Sequence, residues 1–181
     1  MRMLLLKVTS SSQFWKDRNR ILIPKKTQCK KHWVFLLNEV TSDIFFHLNK
    51  KTSIMSDKFE IAETLNRYAV LLDLEQVNQC TDLFSETAEL ELRIGKAKGK
   101  QEIKDLLNKI LKFTSGKRHV ISNTCIDLNG LYANATCYLT VIDATNSTQI
   151  IMTGIYKDEL VKEQGSWKLQ NRKLIVDPSF K

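Results

Sequence analysis

Apolar positions along this chain follow two spacings, and the change from one to the other falls near residue 117. Ahead of it, Ala62, Leu65, Ala69 and Leu72 recur at helical intervals, which predicts a helix over 59–73. Asp57 with Glu60 three residues later is a capping-box pattern and places the start of that helix. A short helical segment over 75–84 leads into the alternating run 88–94, read as a half-buried strand, and Gly95 and Gly99 bracket a turn. Ile103, Leu106, Leu107 and Ile110 then mark the apolar face of a helix over 101–113, and Gly116 releases the chain.

Beyond Gly116 the helical spacing gives way to four strand-like runs, 119–128, 132–142, 148–160 and 167–176. Asn129-Gly130, Asn146-Ser147 and Gln164-Gly165-Ser166 separate them, and turn signals of that kind predict an antiparallel meander. Helices first and strands afterwards make an α+β domain, with helices covering one face of a sheet. The chain has no internal repeat, no low-complexity tract and no glycine-rich phosphate loop.

Charge divides the chain as sharply as periodicity does. Residues 1–54 hold eleven Lys and Arg against three acids, an excess equal to the formal net charge of +8, whereas 17 basic and 17 acidic residues cancel from Met55 onward. The basic character therefore belongs to an extension, 1–54, and not to the domain, 55–181, which argues against nucleic acid as a partner. The extension has three readings: a targeting segment, because it is basic and carries Thr9-Ser10-Ser11-Ser12; a structured arm around 21–23 and 33–37; or a disordered or untranslated stretch upstream of a true start at Met55. The last is favoured. The apolar runs 3–6 and 33–37 are too short to cross a bilayer, so no membrane is expected.

Cys29, Cys80, Cys125 and Cys137 show no paired metal-ligand spacing. They read as free thiols of a reducing compartment, and the expectation is a cytoplasmic protein with no metal and no cofactor.

His119 is the only histidine after residue 54, and it opens a strand. Imidazole is the side chain whose ordinary pKa lets it take and return a proton near neutrality. Asp73, closing the first predicted helix, is the nearest carboxylate suited to orient it. Strict alternation places Ile121, Asn123 and Cys125 on the face of His119. Tyr68, Phe84, Met152, Tyr138 and Tyr156 are expected walls of a cavity, and Arg172 a stabiliser of developing negative charge. The bland readings stand beside these: a helix-to-sheet hydrogen bond for His119 and Asp73, a bulge position for Asn123, ordinary core for the aromatics. Trp167 and Asp177 read as structural.

In order and in residues the chain resembles the SnoaL-like branch of the nuclear transport factor 2-like superfamily. The matching phrases are Arg67-Tyr68-Ala69 with Asp73 four residues after Ala69, Leu83-Phe84, Gly95 and Gly99 before the third helix, Arg118-His119-Val120-Ile121-Ser122-Asn123, Gly154-Ile155-Tyr156, and 167–172 with Asp177. Together they cover 57–177 and none of the extension. The resemblance implies a conical barrel, a curved and mainly antiparallel sheet wrapped around three helices, with a deep apolar pocket for a small apolar or polycyclic ligand. By analogy with scytalone dehydratase and hexachlorocyclohexane dehydrochlorinase it implies His119 and Asp73 as a catalytic pair, Arg172 in a place like that of the dehydrochlorinase arginine, and Tyr68 near one of the dehydratase tyrosines. A cofactor-independent lyase or isomerase is the first functional expectation. The second is a non-catalytic binding module that forms homodimers through its sheet face, and a dioxygenase small subunit ranks last.

Overall fold

The computed structural model describes residues 26–145 and 149–180, with side chains from 47 onward apart from 49 and 50. The chain divides into two compact units, Met1–Phe46 and His47–Lys181, and the second carries the whole sheet. The readings of the extension turn largely on residues 1–25, which lie outside those described.

Helix α1 spans Lys26–Asp73, so it passes through Asp57 instead of starting there. With the helix continuing on both sides, the backbone N–H groups near Asp57 already have carbonyl partners, and its carboxylate is free for other work. Oδ1 of Asp57 accepts from Lys162 Nζ and, at 2.9 Å, from Trp167 Nε1, tying the helix to a distant hairpin. The core-facing stripe of α1 is Ile61, Leu65, Tyr68, Ala69 and Leu72, all buried. A turn in which Glu75 takes a φ of 58° ends the helix and leads to the short α2, Val77–Asp82.

The strands are β1 (Phe84–Leu92), β2 (Gly95–Lys98), β3 (Lys117–Asn129), β4 (Tyr132–Asp143), β5 (Ile150–Glu163) and β6 (Ser166–Val176), and helix α3 (Gly99–Thr114) lies between β2 and β3. Their order across the sheet is β2-β1-β6-β5-β4-β3. Strands β3 to β6 form the predicted meander, and β1 joins β6 as the one parallel pair. The segment read as a turn between Gly95 and Gly99 is itself a strand, pairing with β1 through Leu90 and Ala97. Four residues are too few for alternation to show. The result is an α+β fold of three helices and a six-stranded, curved, unclosed sheet.

Register shifts at Ser122/Cys125, Val141/Ile142 and Glu159/Leu160 accompany the curvature, since each bulge bends its strand and increases local twist. Into the concave face pack Ile103, Leu106, Leu107 and Ile110 of α3 and the stripe of α1, against Leu90, Leu139, Leu160 and Leu169 of the sheet. Each such side chain contributes about 1.5–3 kcal/mol on burial.

The joint between α3 and β3 sets the position of His119. Gly116 there takes a φ of +72°, which favours glycine, and a Cβ on it would lie 2.3 Å from the end of the exposed Thr145 side chain, which would have to shift. One residue on, Lys117 bonds Asp143 at 2.8 Å across the β3–β4 pair. Hydrogen bonds from Lys117 and then Thr145 hold the Asp143 carboxyl well below the usual carboxylate range.

Candidate active site

Asp73 is the last residue of α1 and His119 the third of β3, so the end of one helix meets the beginning of one strand. His119 Nδ1 lies 2.6 Å from Asp73 Oδ1, and the two side chains are 5% and 10% exposed. The same carboxylate accepts the backbone N–H of His119, at 3.1 Å to Oδ2 and 3.3 Å to Oδ1. A carboxylate at a helix C-terminus stands against the helix dipole, and these donors compensate it. Because an ionised carboxylate only accepts, Nδ1 carries the proton, and the lone pair of the neutral ring resides on Nε2.

His119 lines a cavity of about 500 Å³. Tyr68 and Leu72 of α1, Ile110, Phe113 and Thr114 of α3, and Val141, Met152, Tyr156 and Leu174 of the sheet supply most of its wall, and Leu92, Arg93 and Ile94 line it at the β1–β2 tip. A largely apolar cavity of that size suits a small organic ligand.

Tyr68 and Tyr156 both reach this wall, with ring centroids 6.1 Å apart and planes at 77°. The Tyr68 hydroxyl is buried with no hydrogen-bond partner among the described residues. Burial, followed by the neighbouring Tyr156, pushes the Tyr68 phenol well above the ordinary tyrosine range, and burial pushes that of Tyr156 up to about 12. Both are therefore held as neutral O–H donors.

Four expected contacts lie elsewhere. Arg172 points inward, but it sits behind the tyrosines and not at the cavity wall. Its guanidinium lies 4.1 Å from the Tyr68 ring centre and 3.9 Å from that of Tyr156, and its Nε is 3.3 Å from Asp158 Oδ1. Arg172 and Asp158 are both fully enclosed. Burial raises the Asp158 carboxyl to about 6 against the opposing pull of Arg172. Phe84 is also behind the wall, edge-on to Tyr68 at 5.9 Å. Asn123 falls on the β3 bulge with a φ of 51° and is exposed. The bulge reverses the alternation, so Thr124, Ile126 and Leu128 turn inward and Cys125 outward, contrary to a strict period of two. Met152 lines the cavity, whereas Tyr138 lies on the opposite, exposed face of the sheet.

Sequence reasoning passed over Asp158 and Arg93. For Asp158 a signal existed: it alternates with Tyr156 and Leu160 and so shares their inward face. Arg93 fell in the alternating run 88–94 at a polar position with Glu89 and Glu91, but β1 ends at Leu92, so alternation does not set its direction.

A family profile described as the SnoaL-like domain matches residues 53–173. The chain belongs to that family. Among solved structures, one of similar architecture is a protein of unknown function with a cystatin-like fold from Nostoc punctiforme. It is 35% identical, with 68% of this chain and 92% of that one covered and a TM-score of 0.65. A Novosphingobium aromaticivorans protein described provisionally as a scytalone dehydratase is 28% identical, over 68% of this chain and 85% of that one, with a TM-score of 0.61. LinA is similar in fold, at 19% identity, 68% and 87% coverage and a TM-score of 0.61. No curated protein matches the chain at a significant level.

Among the described residues no helix is long and apolar enough to cross a membrane. No group of three or more His, Cys, Asp or Glu side chains among them is placed to hold a metal ion.

Proposed function

We propose that this SnoaL-like domain is a cofactor-independent lyase or isomerase that removes a proton from carbon in a small, mostly apolar carbonyl compound. The observation that carries the reading is the 2.6 Å contact of His119 Nδ1 with Asp73 beside an apolar cavity that His119 itself lines. Nε2 of His119 takes the proton from the carbon next to the carbonyl, and Asp73 holds the ring and stabilises the imidazolium. The electron pair of the broken C–H bond moves onto the carbonyl oxygen as an enolate, or expels a leaving group from the next carbon. Tyr68 belongs to the cavity lining and its buried hydroxyl has no protein partner among the described residues, which makes it the candidate donor to the enolate oxygen. The description of one relative as a scytalone dehydratase is in keeping with this chemistry.

Proton abstraction is testable without the natural substrate. Cyclic aryl ketones such as 2-tetralone, incubated in D2O with the protein, gain deuterium next to the carbonyl faster than in buffer, as read by proton NMR, and His119→Gln abolishes the excess. Exchange at the buffer rate across a panel of such ketones would count against a catalytic role.

A second reading, a non-catalytic ligand-binding or dimerisation module, draws on the convex face. Tyr138, Ile155 and Ile175 lie in register on adjacent strands there, with Val120 close by on β3. Val120 is 44%, Tyr138 48% and Ile175 41% exposed, which is much apolar surface for one sheet face.

A further inference from the structure

We propose that the ligand of this pocket is an anionic amphiphile, with an apolar body filling the cavity toward His119 and a carboxylate-type group held at the mouth by Arg93. This deepens the proposal that the cavity takes a small apolar carbonyl compound, and it rests on that reading.

Arg93 is the one residue of fixed charge among those lining the cavity, and no Asp or Glu is among them. It follows β1 directly, is exposed, and has no ion-pair or hydrogen-bond partner among the described residues. Its neighbours differ in this respect: Lys96 and Lys173 both pair with Glu91, and Lys98 pairs with Glu89. Arg93 makes no such pair among the described residues. It borders a cavity and is left with its planar donor fork unused, and that fork matches a carboxylate in a bidentate fashion.

The surroundings fix the orientation of the ligand. Ile94, Phe113 and Ile151 line the same cavity while staying 49%, 69% and 39% exposed, so apolar surface extends from the interior out to the rim beside Arg93. An anion carried deeper would lose its water among aliphatic side chains with no cation to meet it. The charged end therefore remains at the mouth, and the uncharged part of the molecule is what reaches His119. Arg93 acts as a positioning and specificity residue, remote from the proton transfer.

The test uses 2-naphthoate and its near-isosteric neutral counterpart 2-acetylnaphthalene, titrated by calorimetry into the full chain. The naphthoate binds about tenfold more tightly, equivalent to about 1.4 kcal/mol, a modest return for a hydrogen-bonded charge. Arg93→Gln removes that advantage and leaves the ketone within about twofold, and Arg93→Lys keeps part of it. Met152→Trp and, as a milder filling of the same space, Val141→Phe each weaken both compounds. Equal binding of the two, or an advantage that survives Arg93→Gln, overturns the anionic ligand while the pocket stands. Binding indifferent to both filling variants, or no binding of either compound, overturns the pocket reading and this inference with it.

Discussion

One carboxylate, that of Asp73, holds both the ring Nδ1 and the backbone N–H of His119, so the rotamer of the imidazole and the start of its strand are fixed by the same group. Asp73→Asn separates the two jobs. The amide oxygen still accepts the backbone N–H, and the fold is retained. When it does so, the amide group left for Nδ1 is a donor, which favours the tautomer with the proton on Nε2. Carbon-acid exchange is expected to fall about 10²- to 10⁴-fold, the range associated with a positioned general base. Nitrogen-15 NMR of the ring at pH 7.5 reports the tautomer directly, and an unchanged tautomer with unchanged exchange would remove the dyad from the mechanism.

Tyr68 separates structure from chemistry in a similar way. Its buried hydroxyl lacks a partner among the described residues, so Tyr68→Phe loses no hydrogen bond to them and is expected to leave stability unchanged or slightly raised. The same variant is expected to slow exchange about 10- to 100-fold if the hydroxyl meets the enolate, an effect in the range of one lost stabilising donor. Urea unfolding and the exchange rate, measured side by side, give both numbers.

Arg172 and Asp158 form the one fully enclosed ion pair among the described residues, with the Arg172 guanidinium clasped by two tyrosine rings. Deleting one partner leaves a buried charge alone. Asp158→Ala is therefore expected to cost about 3–5 kcal/mol in urea unfolding. Replacing both, with Arg172→Met and Asp158→Leu, is expected to restore most of the loss, because a well-packed apolar pair avoids the desolvation that the ions incur. A double variant as unstable as the single one would mean that the tyrosine contacts, and not charge compensation, dominate there.

The α+β order and the four long strands were legible because periodicity persists over ten or more residues in each element and turn residues punctuate them, whereas the link between His119 and Asp73 came from family resemblance and from no spacing. Where reading failed, a local event had broken the period. The β3 bulge turned Asn123 outward, and the four residues of β2 were too short to alternate visibly. The Asp57 capping pattern misled because the helix continues through it, and only tertiary contact reveals that Trp167 and Lys162 use the carboxylate. For Arg172 the resemblance indicated a place on the last strand and left its direction open, and its distance from the cavity wall depends on two tyrosine rings standing in front of it. No one-dimensional pattern encodes that layering.

The Asp57 contact has a pH signature. The hydrogen bond from Lys162 is the largest cause lowering the Asp57 pKa, with Trp167 acting in the same direction. A carboxyl lowered in the folded state contributes stability that is complete above its unfolded value near 3.9 and is lost as pH falls through the folded value. Asp57→Asn is expected to flatten that acid limb below about pH 4 while keeping an acceptor for Trp167. Asp57→Ala also strands the Trp167 N–H and is expected to cost about 1–3 kcal/mol at neutral pH. Chemical unfolding at intervals of half a pH unit distinguishes the two variants.

The convex sheet face offers the remaining test. Tyr138, Ile155 and Ile175 run side by side across β4, β5 and β6, and Lys157 and Lys173 lie in register one row away. An apolar row bordered by charge is the arrangement of an interface core with a polar rim, and two copies meeting through a twofold axis would bury that row against itself. On that basis the protein is expected to sediment as a dimer at micromolar concentration. Tyr138→Lys or Ile175→Lys would place like charges opposite one another across the axis and raise the dissociation constant at least tenfold, with no change in the far-ultraviolet circular dichroism. Because this face is the reverse of the one that holds His119, carbon-acid exchange is expected to persist in the monomeric variants. A loss of exchange in step with dissociation would show instead that pairing of the convex faces supports the geometry of the cavity through the sheet.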